Sequence, residues 1–328
     1  MTKYQVIGIG NAVVDVISQC DDAFLSRQGI EKGVMQLIEA DRGVALYDAM
    51  ESRKQMSGGS VANTVAGIGA LGLATGFIGR VSDDALGHFY ATGMAEAGTD
   101  FVNAPVAGGT LPTSRSMIFV TPDGERSMNT YLGISTELGP DDVDDAVAGD
   151  TALLFLEGYL FDKAPGKAAF QAAARACRSG GGRAGISLSD PFCVDRHRDD
   201  FRKLSRDLDF VLGNEEEWLS LFQTDDLGQA LEQAAAESGL IVCTRSGHDV
   251  VIATADNTVT VPVTSVEPVD TTGAGDQFAA GFLYGLATGV SLEIAGHMGC
   301  VAAAEVIGHV GARPETDVMD IFKEKGLA

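Results

Sequence analysis

Asp270-Thr271-Thr272-Gly273-Ala274-Gly275-Asp276-Gln277-Phe278 sets two glycines and a carboxylate at the head of an apolar segment. Phe278, Phe282, Leu283 and Leu286 recur there at helical spacing. Gly273, Ala274 and Gly275 carry little bulk, so their backbone N–H groups are free to face a cleft. At a helix N-terminus such donors and the macrodipole form an anion site. An anion site beside a carboxylate suits phosphoryl transfer. The amides stabilise charge on the transferring group, and Asp276 accepts the proton of the attacking hydroxyl. The structural alternative is a glycine-rich entry turn in which Asp276 complements the helix dipole.

Three further motifs carry polar groups. Ser57-Gly58-Gly59-Ser60-Val61-Ala62-Asn63 also opens a helical pattern. Paired glycines let a ligand lie against backbone, and Asn63, one turn in, can donate and accept toward sugar hydroxyls. Without a ligand, the same motif reads as a helix start with Ser60 as N-cap. Gly8-Ile9-Gly10-Asn11-Ala12-Val13-Val14-Asp15 has two glycines of a dinucleotide fingerprint, but Val13 replaces the third. Asn11 and Asp15 then read as polar side chains over a cleft, Asp15 able to accept from vicinal hydroxyls. Asn214-Glu215-Glu216-Glu217 spells a capping box. Glu217 is also a candidate to organise Mg²⁺ and its waters. A Walker phosphate loop and the protein-kinase signatures are absent from the sequence.

The elements that must hold these groups follow from hydrophobic periodicity. Strands are expected at 4–9, 74–79, 152–156, 183–188, 210–212 and 240–244. Helices are expected at 61–71, 84–97, 167–178, 215–222, 227–238, 275–288 and 292–306. This alternation predicts a parallel sheet with helices on both faces. Two stretches break it. Residues 12–18 and 33–38 read as half-exposed strands around a short helix, and 114–121 and 126–132 as a hairpin about Pro122-Asp123-Gly124. Together they predict a small accessory sheet placed as a lid. The expected division is a large domain from 1–10, 56–108 and 136–328, and a small lid from 11–55 and 109–135.

Composition limits the partners. The 328 residues hold 23 Lys+Arg against 46 Asp+Glu, a net charge of −23. Nucleic acid and anionic membranes call for basic surface, so neither is expected as a partner. The 41 glycines are about 12% of the chain, above the usual ~7%. Five scattered cysteines form no C-x-x-C pair, and the five histidines show no metal-ligand spacing. With no apolar run of membrane-spanning length, a cytoplasmic protein with reduced thiols is expected.

The three signatures in this order resemble the PfkB-type, ribokinase-like family of sugar and nucleoside kinases. Asp270–Phe278 resembles its C-terminal signature, Gly58-Gly59 with Asn63 its N-terminal one, and Asn214–Glu217 its Asn-x-x-Glu magnesium motif. Within the family the chain looks most like the adenosine kinase branch. The likeness lies in Gly8–Val16, Leu188-Ser189-Asp190-Pro191-Phe192, Ala295-Gly296-His297 and Gly311-Ala312-Arg313-Pro314-Glu315.

The resemblance implies a three-layer α/β/α sandwich with a small β-sheet lid. It implies an ATP- and Mg²⁺-dependent kinase acting on a primary hydroxyl, with adenosine as first choice of acceptor. A sugar kinase for ribose, fructose or a keto-deoxy sugar acid is the alternative, and a non-catalytic ligand sensor a third reading. Asp276 resembles the family's base, Gly273, Ala274 and Gly275 its anion hole, and Asn11, Asp15, Gly58, Gly59 and Asn63 its sugar contacts. Asn214, Thr244 and His297 fall in the ATP region, and Arg126 on the lid near the phosphates. Leu37 and Tyr159 are placed against a substrate base, and Asp270 and Thr272 where relatives hold a monovalent cation such as K⁺. Ser246 stands where ribokinases usually have glycine. Either a monomer or a homodimer fits.

Overall fold

The computed structural model describes residues 2–263 and 265–328. In chain order they form β1 (Tyr4–Ile9), β2 (Val13–Gln19), α1 (Asp22–Gln28), β3 (Met35–Leu37), α2 (Ala40–Ala49), β4 (Lys54–Gly58), α3 (Ser60–Ala70), β5 (Thr75–Ile78), α4 (Ala85–Glu96) and β6 (Thr99–Phe101). Next come β7 (Ser114–Val120), β8 (Arg126–Tyr131), α5 (Asp145–Gly149), β9 (Thr151–Glu157), α6 (Ala164–Ser179), β10 (Arg183–Ser187), α7 (Pro191–Asp207), β11 (Phe210–Asn214) and α8 (Glu215–Phe222). The chain ends with α9 (Leu227–Glu237), β12 (Leu240–Arg245), β13 (His248–Ala253), β14 (Thr258–Val261), α10 (Ala274–Thr288), α11 (Leu292–Val306) and α12 (Val318–Glu324).

Nine strands make the main sheet in the order β14-β13-β12-β11-β10-β9-β1-β5-β6. The six apolar runs read from the sequence are parallel neighbours in it. Their side chains alternate between two cores. Val6 of β1 packs with Val61, Val65 and Phe282 on one side, whereas Ile7 and Ile9 join Phe170 and Ala173 on the other. The three-layer α/β/α architecture is therefore present. The short β6 and the antiparallel β13 and β14 extend the two edges beyond the expected strands.

Strand order reverses at β1. The chain grows outward through β5 and β6 on one side and through β9 to β12 on the other. Such a switch point leaves a crevice at the carboxyl ends of the strands, where α/β proteins bind ligands. Gly10 and Asn11 leave β1 there, and Glu157 ends β9 there.

The second sheet has the order β3-β8-β7-β2-β4. The fifth strand, β4, was absent from the expected set and straddles the 55/56 boundary of the expected division. Gly124 turns the β7–β8 hairpin at φ 85°, as the Pro122-Asp123-Gly124 turn requires. The register sorts the sheet into two faces. Val14, Val16, Met117 and Phe119 enter the core with Leu25 and Leu46. The row Leu37–Thr130–Ser116–Asp15–Met56 lies on the opposite face, because residues paired across strands point the same way.

Phe210 is 1% exposed and stacks on Phe155 at 6.2 Å between ring centroids. A Cβ on Gly185 would come within 2.1 Å of the Phe210 ring, so the aromatic fills the space that glycine leaves. Phe210→Ala is expected to cost about 3–5 kcal/mol in urea unfolding.

Candidate active site

Two helix N-termini meet over the crevice. Helices α3 and α10 pack closely: a Cβ on Gly67 would lie 2.9 Å from Ala280 Cβ. That approach brings Ser60 and Asn63 onto Asp276. Ser60 Oγ donates to Asp276 Oδ1 at 2.7 Å, and Asn63 Nδ2 donates to Oδ2 at 3.0 Å. Thr64 Oγ1 donates to the Asp276 backbone carbonyl at 3.1 Å. Burial pushes the Asp276 carboxyl up to about 6, while Ser60, Asn63 and Arg313 hold it lower than burial alone would.

Ser60 is not the N-cap. Gly59 occupies that position at φ 103°, a left-handed conformation that side chains rarely adopt, and a Cβ there would sit 2.3 Å from the Asn11 carbonyl. The freed hydroxyl serves Asp276 instead. Gly58 makes room for Asp15, whose Oδ2 would be 2.3 Å from an added Cβ.

Gly273 caps α10 at φ 79°. The three expected anion-site donors are not equivalent. Ala274 N–H turns back to the Thr271 carbonyl at 3.2 Å. Gly273 N–H and Gly275 N–H, and beyond the expected set Asp276 N–H, find no backbone acceptor among the described residues. A Cβ on Gly275 would meet nothing within 4 Å, so the space beside Gly275 is open. Open amides at a helix N-terminus beside a carboxylate can receive a phosphoryl group.

Asp15 and a residue that sequence reading passed over, Glu157, complete the floor. Glu157 is 1% exposed and accepts from Asn11 N–H at 3.1 Å, Asn11 Nδ2 at 2.7 Å and Val61 N–H at 3.2 Å. Asn11 is thus committed through its amide nitrogen, leaving its Oδ1 for a ligand. Burial raises Glu157 to about 7, opposed by those three donors. Burial likewise raises Asp15 to about 7, opposed by Arg313 and Arg126. The only sequence signal for Glu157 was a charged residue closing an otherwise apolar strand.

Arg126 reaches from the second sheet to Asp270, 2.5 Å from Nη2 to Oδ2, with each side chain 8% exposed. The contact is an ion pair outside hydrogen-bond geometry. Asp270 also accepts from Thr272 N–H at 3.0 Å and Gly311 N–H at 2.9 Å. A monovalent cation at this carboxylate would therefore compete with Arg126.

Asn214 and Thr244 are register partners at the ends of β11 and β12. Asn214 and Glu217 form the reciprocal capping box: Asn214 N–H and Nδ2 donate to Glu217, and Glu217 N–H donates back at 2.9 Å. Burial raises Glu217 to about 7. Its oxygens suit Mg²⁺, but with the box closed they fit an ion reached through water. Arg245 pairs with Glu215 at 2.9 Å beside this end of the sheet. Ser246 adopts φ 53°, in the left-handed region that favours glycine. His297 is half-buried on α11. Tyr159 donates to the Ser189 carbonyl at 3.0 Å, and Leu37 is 55% exposed on β3.

A carboxylate between two helix N-termini, at the switch point of a doubly wound sheet and under a second sheet, defines a phosphotransferase of the ribokinase-like fold. Residues 34–318 match the model described as pfkB family carbohydrate kinase, and the chain belongs to that family. It is similar to an adenosine kinase from Sinorhizobium meliloti, with 44% identity, a TM-score of 0.90 and coverage of 98% of this chain and 99% of that one. It is equally similar to a probable sugar kinase protein from Rhizobium etli, with 44% identity, a TM-score of 0.92 and full coverage of both chains. A fructokinase from Klebsiella pneumoniae is 31% identical over 77% of this chain and 85% of its own length. The chain is thus an ATP-dependent kinase. No helix among the described residues is long and apolar enough to cross a membrane.

Asp276→Asn is expected to lower kcat by about 10²–10⁴ while leaving ATP binding within a few-fold in calorimetry. A base must be ionised to accept a proton. In a pH series at saturating ATP, kcat/KM should therefore fall as pH drops through about 6.

Proposed function

We propose that this kinase transfers the γ-phosphoryl of ATP to the 5′-hydroxyl of a nucleoside, with adenosine as the preferred acceptor. One observation carries the reading. The face of the second sheet that bears Asp15 also bears Leu37 and Met35, 55% and 45% exposed, with Met128 beside Met35 in register. Leu37 and Asp15 lie three strand spacings apart in one row, about 14 Å. A nucleoside has that polarity, an apolar base at one end and vicinal hydroxyls at the other. The 44% identity to the Sinorhizobium meliloti adenosine kinase supports the same acceptor.

In this mechanism the ribose hydroxyls lie against Asp15 and Asn63, with the 5′-hydroxyl at Asp276. Asp276 takes the hydroxyl proton as the acceptor oxygen bonds to the γ-phosphorus. The bond from that phosphorus to the bridging oxygen breaks, and ADP departs. Gly275 and Asp276 N–H, with the α10 dipole, stabilise charge on the transferring group. Glu217 would hold Mg²⁺ through water, and the ion would supply neutralisation of phosphate charge. The second sheet excludes water from the cleft, which limits hydrolysis of ATP.

A sugar kinase is the second reading, favoured by the Klebsiella pneumoniae fructokinase likeness and by the polar floor of Asp15 and Glu157. A coupled ATP-turnover screen over adenosine, other nucleosides, ribose, fructose and keto-deoxy sugar acids separates the two. The expected result is a kcat/KM for adenosine well above that for every free sugar. Fructose or ribose as best acceptor would reverse the assignment. Leu37→Asp should raise the nucleoside KM by about tenfold or more with little change in kcat.

A further inference from the structure

We propose that Arg313, in the loop between α11 and α12, is a positioning residue that sets the orientation of Asn63 and supplies the counter-charge behind Asp276. The inference rests on Asp276 acting as the base. Arg313 Nε donates to Asn63 Oδ1 at 3.3 Å, and Asn63 Nδ2 donates to Asp276 Oδ2 at 3.0 Å. An amide has one accepting end and one donating end. Were Asn63 flipped, its NH₂ would face the guanidinium and its oxygen the carboxylate, repelling both. Arg313 therefore selects the single orientation in which Asn63 serves Asp276.

The guanidinium is itself fixed. Its Nη2 donates to the Ser57 carbonyl at 2.5 Å and contacts Met94 Sδ at 3.4 Å. Its loop is tied down on both sides. Gln277 Nε2 donates to the Ala312 carbonyl at 3.1 Å, and Glu305 Oε1 accepts from Glu315 N–H at 3.0 Å and Thr316 N–H at 2.9 Å. Three titratable groups act on Arg313, namely Tyr90, Asp15 and Asp276, and Glu157 acts in turn on Tyr90. Arg126 is the other cation acting on Asp15. Arg313 opposes the burial of both Asp15 and Asp276, whereas burial draws its own pKa down.

Removing the guanidinium frees the Asn63 amide and withdraws positive charge from Asp276. Arg313→Ala is expected to lower kcat by between about tenfold and 10²-fold. The acid limb of its kcat/KM profile should move to higher pH, because the lost cation had favoured the ionised carboxylate. Arg313 borders a cavity of about 330 Å³ between α3, α10 and α12, lined by Ala66, Gly67, Gln277 and Pro314. Millimolar guanidinium ion should enter by that route and restore part of the lost rate. A merely structural arginine would lower thermal stability without moving the acid limb.

Arg313→Lys keeps the charge but loses the Nε bond. It should hold the acid limb near its original place while lowering kcat. An unmoved acid limb in Arg313→Ala, with no rescue, overturns the inference. If Arg313→Ala does not fold, Arg313→Lys decides, and a kcat within about twofold of the parent overturns it. Full turnover in Asp276→Asn would instead overturn the base assignment, so the two failures are distinguishable.

Discussion

The site depends on keeping a carboxylate ionisable while it is enclosed by protein. Enclosure disfavours the charged form of Asp276, and two α3 side chains with one arginine oppose that tendency. The balance leaves the group near the working range of a general base rather than permanently charged or permanently neutral. Everything that sets this balance is a matter of helix placement. The close crossing of α3 and α10 delivers Ser60 and Asn63, and the loop after α11 delivers Arg313.

The same economy of charge explains how a chain of net charge −23 handles a polyanion. In the proposed mechanism the amides at the start of α10 receive the phosphoryl group, so no basic surface is needed. The cations of the site are few and already engaged, Arg126 with Asp270 and Arg313 with Asn63 and Ser57. Arg126 joins the second sheet to the loop that precedes the anion site. The second sheet and the loop before α10 are therefore linked by a buried ion pair.

Some of this was legible in the residues. The apolar runs of the main sheet and the helices after Gly59 and Gly273 have strong local periodicity, which is why their bounds were readable. The antiparallel β13 and β14 and the lid strand β4 were not, because short mixed strands acquire their pairing from neighbours distant in sequence. Local motifs likewise misled at one point. Ser60 is a good N-cap type, yet tertiary packing gave the cap to Gly59 and the hydroxyl to Asp276, 216 residues away.

By itself the sequence determined the residue types that chemistry needs: a glycine-flanked carboxylate at a helix start, a second paired-glycine helix start and an Asn-x-x-Glu box. These are local, because capping and turn formation depend on adjacent residues. Only the tertiary structure decided which groups surround the carboxylate. Glu157 closes a strand and Arg313 lies in the loop stretch Gly311–Glu315, and no local pattern gives either residue its role beside the carboxylate. Their roles come from the switch point at β1, which joins Glu157 to Asn11 146 residues away, and from the crossing of α3 with α10, which joins Asn63 to Asp276 213 residues away. Burial and electrostatic compensation are properties of that assembled space, so no window of sequence could display them.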